Sequence, residues 1–277
     1  MYMVFATLCF AGADAVGKHL TANFPFAQII WLRSVIGMTL IGLIILGTGN
    51  TRYFRTKKPR WHLFRTLVGI FLITGIFTGL KYIPLAEVTA IIFANPFIVA
   101  LLSPLVLNEH VNRQTYIAIA AGFIGILLVA RPTPDHFHYA HLIMLGFATA
   151  TAILIITARK LAETESVLTL NFYLYPGTIL VSTYWAITNW QSADLVSWLL
   201  FILVSILATT ALFCVTKAMH HARPSVVAPI DYVRIIWTVI FGYIFWDEFP
   251  DLVTWAGIIT IIISGIYVVK HGREKKA

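Results

Sequence analysis

The sequence predicts an all-α integral membrane protein of ten transmembrane helices, arranged as two inverted five-helix repeats. Three observations carry this reading. Of 277 residues, 59% are apolar and only 12% are charged, against about 25% charged in a soluble domain. Ten apolar stretches, all of them 17 residues or longer, are separated by short polar or proline-containing breaks. A hydrocarbon core about 30 Å thick is crossed by roughly 20 such residues in a helix. Third, the chain shifted by 139 positions matches itself over about fifty residues without a gap.

The stretches run approximately over residues 3–20, 26–46, 62–80, 86–107, 114–130, 141–158, 167–190, 195–216, 226–246 and 252–269. The third is the weakest span, because Arg65 and Lys81 leave only Thr66–Leu80 between charges. Long basic side chains snorkel toward the interfaces, and this is the expectation for both. The first stretch starts almost at Met1 without a basic leader, which predicts no cleavable signal peptide. Cys9 and Cys214 both lie inside apolar stretches, which argues against a disulfide framework.

Lys and Arg are distributed unevenly between alternate loops. Fourteen of the 20 fall on one side, three (Lys18, Lys81 and Arg131) on the other, and three (Arg33, Arg65 and Arg234) inside helices. Cytoplasmic loops are enriched in Lys and Arg, so both termini are expected in the cytoplasm of a bacterial inner membrane. The formal net charge of +8 is thereby a topology signal, and nucleic acid is not an expected partner.

Under the 139-residue shift Asn108-Glu109 falls on Asp247-Glu248, Ile91 on Ile230, Phe93 on Tyr232, and Ile119 on Ile258. The implied halves are residues 1–135 and 136–277. Five helices per half is an odd number, so the halves enter the membrane in opposite senses. Inverted repeats of this kind characterise secondary transporters, which hold substrate near the midplane between the halves.

An ionisable side chain near the bilayer centre costs at least about 2.5–3.5 kcal/mol on insertion scales, which makes it a candidate site residue. Asp14 and Lys18 are four apart on the first helix. Arg33 is seven residues into the second, roughly 10 Å deep at 1.5 Å per residue. Asp14 with Arg33 or Lys18 reads either as a buried pair locking two helices or as a group for ligand binding or proton coupling. Asp231 and Arg234 are three apart and share a helix face, with Tyr232 between them and Pro229 able to open the helix locally. They read as a paired acid and base facing a cavity, or as an internal pair steadying a kinked helix. The fourth helix offers Glu87, Asn95-Pro96 and Pro104, with Asn95 opposite Arg234 under the shift.

Among the aromatics, Trp31, Tyr173, Tyr175, Tyr232 and Trp237 lie deep, whereas Trp185, Trp190, Trp198 and Trp246 lie at helix ends as an interfacial belt. Small residues at Ala118, Ala121, Gly122, Gly125, Gly257 and Gly265 are close-approach patterns for tight helix packing, with a weak homodimer as the second meaning. Asp135, His136, His138 and His141 form an external cluster that reads as a solvated loop in preference to a metal site. No H-E-x-x-H, G-x-S-x-G or P-loop motif occurs, so neither an enzyme, a cofactor nor an ATP site is expected.

The run Ala228-Pro229-Ile230-Asp231-Tyr232-Val233-Arg234, with Gly242 to Asp251, resembles the second repeat of EamA-domain transporters of the drug/metabolite transporter superfamily. Pro84 to Ala90 with Asn108-Glu109 looks like the same element in the first repeat. Asp14 to Leu20 and Trp31 to Ser34 look like the family's opening helices. The resemblance covers essentially the whole chain. It implies ten helices in two inverted repeats and alternating access to a small organic solute. Relatives in the superfamily include amino-acid exporters and transporters of S-adenosylmethionine, riboflavin and metallophores. The combined expectation is a carrier for a small zwitterionic metabolite, with a multidrug exporter as the alternative. Arg33, Asn95, Asp231, Tyr232, Arg234 and Trp237 are the expected solute contacts, and Asp14, Lys18 and Glu87 the expected coupling or ion-pair residues.

Overall fold

A computed structural model describes residues 1–95, 97–99, 101–102, 113–130, 138–161, 164–221 and 228–271. Asn108, Glu109, Pro104, Arg131, Asp135 and His136, and the side chain of Tyr232, lie outside the described set.

Among the described residues all regular structure is helical: α1 (Tyr2–Asn23), α2 (Phe26–Gly47), α3 (Pro59–Tyr82), α4 (Leu85–Ile92), α5 (Arg113–Ala130), α6 (Tyr139–Leu161), α7 (Val167–Phe172), α8 (Tyr175–Thr188), α9 (Leu195–His221), α10 (Arg234–Trp246) and α11 (Leu252–His271). Two 3-10 turns, Thr51–Phe54 and Ala228–Val233, complete the order. Four segments are long and apolar enough to cross a membrane: α2, α3, α6 and Leu195–Ala218 of α9. Leu180, Leu195 and Ile263 point outward from the bundle, while Asp14, Arg65, Asn95 and Arg234 are buried within it. Such a distribution is stable only where hydrocarbon is the solvent.

Proline sets many of the boundaries. Pro25 and Pro84 immediately precede α2 and α4, and Pro59 opens α3, positions where a missing N–H costs nothing. The fourth and seventh stretches, expected as single helices, are broken, and the break has one cause in both. Proline at position i gives no N–H to the carbonyl at i−4. α4 ends at Ile92, four residues before Pro96, and α7 ends at Phe172, four residues before Pro176. The ninth stretch is likewise divided, running as a 3-10 turn through Pro229 and becoming α-helical only at Arg234.

α1 lies at the centre, against α9, α10 and α3; α2 packs on α8, and α3 on α6. α5 and α11 are the most closely joined pair. A Cβ on Gly257 would stand 2.7 Å from the Gly125 carbonyl oxygen and 2.6 Å from Val129 Cγ2. Only glycine lets these two backbones touch. The main core brings together Leu20, Ile29, Phe77, Leu85, Phe93, Met144 and Phe201 from six segments.

Candidate functional site

The three broken helices meet around one cavity of about 180 Å³. The α4 break delivers Asn95, the α7–α8 break delivers Leu174 and Tyr175, and the 3-10 turn with the start of α10 delivers Asp231 and Arg234. α1 adds Phe10 and Asp14, α2 adds Arg33, and α3 adds Arg65 and Phe77. Interrupted helices that line a cavity, with their freed backbone groups facing it, are the way membrane proteins build polar sites at depth.

The ion pairs differ from those expected. Arg234 donates from Nη2 to Oδ2 of Asp14, and both residues are 5% exposed. Asp14 thus pairs with neither Lys18 nor Arg33, and Arg234 does not form the expected pair with Asp231. Spacing along one helix permits such a pair but does not require it, and the closer partner is on the neighbouring helix. The guanidinium carbon of Arg234 also lies 5.0 Å from the Phe10 ring, a cation–π contact.

Two cavity residues of opposite charge are thereby left without a hydrogen-bonded partner among the described residues. Asp231 is 9% exposed, three residues ahead of α10, where the positive end of that helix favours an anion. Arg33 has its guanidinium carbon 5.8 Å from the Phe77 ring and makes no direct ion pair among the described residues, although the Asp14 charge acts on it. The Asn95 side-chain oxygen and the Arg234 Nε are buried without partners among the described residues. Buried polar atoms of this kind are normally satisfied, and here they border a space a solute can fill.

Arg65, expected to snorkel toward an interface, does not. It is 3% exposed and donates from Nη1 to the Leu154 carbonyl and to Thr157 Oγ1, both at 2.9 Å. Packing against α6 holds it inward, in the wall of the same cavity. Lys81 does remain exposed, with Nζ 5.0 Å from the Phe26 ring. Tyr175 lines the cavity, and its hydroxyl is 3.0 Å from Thr209 Oγ1. Its ring fills the space where a Cβ on Gly37 would come within 2.8 Å.

Several expected residues lie elsewhere. Trp237 is absent from the cavity wall, and its Nε1 is buried without a partner among the described residues. Trp31 donates to Thr183, and the Tyr173 hydroxyl donates to the Phe54 carbonyl. Lys18 reaches Glu248 at 2.5 and 2.6 Å, and the same carboxylate accepts from the Leu85 N–H at 3.2 Å. Asp247 caps α10 with φ 55°, and the Glu248 N–H returns to the Gly242 carbonyl at 3.1 Å. This αL cap turns Glu248 toward α1 and α4 and ties together one end of the bundle. Glu87 lies 3.4 Å from His141 Nε2 on α6.

The EamA-like transporter family model matches residues 1–131 and 138–270. The chain is 28% identical over 266 residues to the Pseudopaline exporter CntI of Pseudomonas aeruginosa, covering 95% of this chain and 93% of that one. It is 26% identical over 265 residues to an S-adenosylmethionine uptake transporter of Rickettsia bellii, covering 95% and 90%. A riboflavin transporter of Vibrio cholerae is 25% identical over 279 residues, covering 99% and 94%. One solved structure superposes with a TM-score of 0.71 over 97% of this chain and 94% of its own, at 17% identity, which shows a shared fold. This chain belongs to the EamA-like transporter family and is a multi-pass membrane transporter.

Proposed function

We propose that this transporter is a secondary carrier for a small zwitterionic metabolite, an amino acid or a derivative such as S-adenosylmethionine. The observation that carries the reading is a pair of opposite charges, Asp231 and Arg33, that line one small cavity without a hydrogen-bonded partner among the described residues. Asp231 receives the solute's ammonium and Arg33 its carboxylate, while Asn95 and Arg234 Nε complete its hydrogen bonds. The Asp14–Arg234 pair holds the site's two central helices in register or exchanges a coupling proton. Charge-assisted hydrogen bonds of this type contribute about 1.5–3 kcal/mol each.

Movement is by alternating access of two inverted halves, residues 1–135 and 136–277, with both termini cytoplasmic. The internal match at 139 residues supports the halves, and α5 and α11, which begin 139 residues apart, pack face to face. The Lys18–Glu248 tie closes the external end in this conformation. Met3, Ala158 and Thr216 line the cavity toward the opposite end. The volume of about 180 Å³ is below the usual 300–1,000 Å³ of small-molecule pockets. A bulky solute therefore needs the halves to part further.

The competing reading is export of drugs or of other metabolites such as riboflavin or a metallophore, which the apolar rings of Phe10, Phe77 and Phe147 in the wall favour. Thermal stabilisation of the purified carrier separates the two. A ligand at 100 times its Kd adds about 2.7 kcal/mol. Stabilisation by amino acids or S-adenosylmethionine, lost in Arg33→Gln and in Asp231→Asn, is the expected result. Stabilisation confined to riboflavin or cationic dyes overturns it.

A further inference from the structure

The charges on the cavity wall do not balance. Among the described residues, Arg33, Arg65 and Arg234 face two acids, Asp14 and Asp231. With Arg234 joined to Asp14 and with Asp231 and Arg33 assigned to the zwitterion, Arg65 remains. It is buried, and among the described residues it has no acidic partner and its Nε makes no hydrogen bond. The two bonds it makes, to Leu154 and Thr157, both use Nη1 and go to neutral oxygens. A buried guanidinium without a counter-anion is costly, and the cavity is where an anion can approach it.

Arg65 and Arg33 meet different parts of the α3 wall. Arg65, Gly69, Ile76 and Phe77 line the cavity from α3, and the Phe77 ring is the one beside Arg33. Twelve residues of helix separate Arg65 from Phe77, about 18 Å at 1.5 Å per residue. The wall thus carries cations on separate stretches of its length, with the acid Asp231 available to an ammonium. A compact amino acid meets only one of these cations.

We infer that the preferred solute is an elongated anionic amino-acid derivative, whose zwitterionic head sits at Asp231 and Arg33 and whose distal carboxylate is bound by Arg65. The inference rests on the zwitterion reading above and adds the length and net charge of the substrate class. One charge-assisted contact of this strength corresponds to about a tenfold or larger change in affinity.

The test compares binding of N6-succinyl-L-lysine, N6-acetyl-L-lysine and L-glutamate to the purified full-length carrier by titration calorimetry. Succinyl-lysine carries an acid far from its amino-acid head, acetyl-lysine has a similar body without it, and glutamate carries its second acid close to the head. The expected result is that succinyl-lysine binds at least about tenfold tighter than the other two. Arg65→Gln removes that preference while still binding acetyl-lysine, Arg65→Lys keeps most of it, and Arg33→Gln weakens all three. Equal affinity for succinyl- and acetyl-lysine in the unaltered protein, or a preference for glutamate, overturns the inference and leaves the zwitterion reading standing. Absence of binding by all three overturns both. If Arg65→Gln does not fold, the comparison in the unaltered protein and in Arg65→Lys decides.

Discussion

Arg234, the first residue of α10, hydrogen-bonds the carboxylate of Asp14 in the middle of α1, across 220 residues of sequence. Both side chains are buried, so each is the other's main compensation for leaving water. Removing one partner of such a pair leaves an isolated buried charge and costs about 3–5 kcal/mol, whereas removing both is far milder. Arg234→Leu and Asp14→Leu alone are therefore expected to lower the yield and melting temperature of folded carrier. The double variant recovers much of that stability but not transport. Thermal unfolding of the three variants beside proteoliposome uptake checks this, and full stability in either single variant contradicts it.

The Lys18–Glu248 tie joins α1 to the α10–α11 loop and, through the Leu85 N–H, to the start of α4. Its carboxylate is 30% exposed, so a coupling energy of about 1 kcal/mol or less is expected from a double-mutant cycle. The conformational effect is larger in consequence. In a Cys9→Ser, Cys214→Ser background carrying Leu80→Cys, on the cavity wall, Glu248→Gln is expected to speed alkylation by an external thiol reagent. An unchanged rate means that the tie does not control that end.

Where α5 crosses α11, Gly257 touches the Gly125 carbonyl at a separation that no Cβ tolerates. Gly257→Ala is expected to push the two helices apart and to destabilise by about 1–3 kcal/mol. A Cβ at Gly42 meets nothing within 4 Å, so Gly42→Ala is neutral or slightly stabilising. Paired melting temperatures are the measurement.

Gln28 is fully buried, and it exchanges two hydrogen bonds of 2.9 Å with the backbone of Gln191. Gln28→Leu keeps the volume but strands both backbone groups, a loss of about 1–3 kcal/mol per buried unsatisfied group. Gln28→Glu retains an acceptor and is expected to fall between Gln28→Leu and the unaltered protein in thermal stability.

Asp194 caps α9, accepting from the Ser197 N–H at 3.0 Å. Hydrogen bonding from Ser197, the side chain first and then the backbone N–H, holds its carboxyl below the usual carboxylate range. A depressed carboxyl stabilises the fold above its ordinary titration range and loses that contribution as pH falls through its lowered value. The melting-temperature gap between the unaltered protein and Asp194→Ala is accordingly expected to narrow on acidification. A gap that stays constant with pH contradicts the cap.

Much of the fold was legible because hydrophobic length is a local property. The expected second, sixth and eighth stretches match α2, α6 and α9 to within a few residues, apart from an extension of α9 to His221. The breaks in the fourth and seventh stretches were not anticipated, although their cause is local: Pro96 and Pro176 each lie four residues beyond the end of a helix, as the missing N–H requires. The site was legible only as a set of candidates. Asp14, Arg33, Asn95, Asp231 and Arg234 do line one cavity, because a charged or amide side chain inside the bilayer is driven to the bundle interior. Trp237 is not on that wall, since an aromatic ring is equally at home in protein packing or lipid.

The amino-acid sequence by itself determined that this chain crosses a membrane repeatedly, roughly where most of its helices run and which polar groups are candidates to turn inward. These follow from hydropathy and from the absent proline N–H, which act over a few residues at a time. Tertiary structure decided the partners. Arg234 takes Asp14 in place of its helical neighbour Asp231, Lys18 takes Glu248, and Arg65 faces the cavity in place of an interface. Each of those choices depends on which helix faces lie within about 3 Å of one another, and helix faces are brought together by packing across the whole chain.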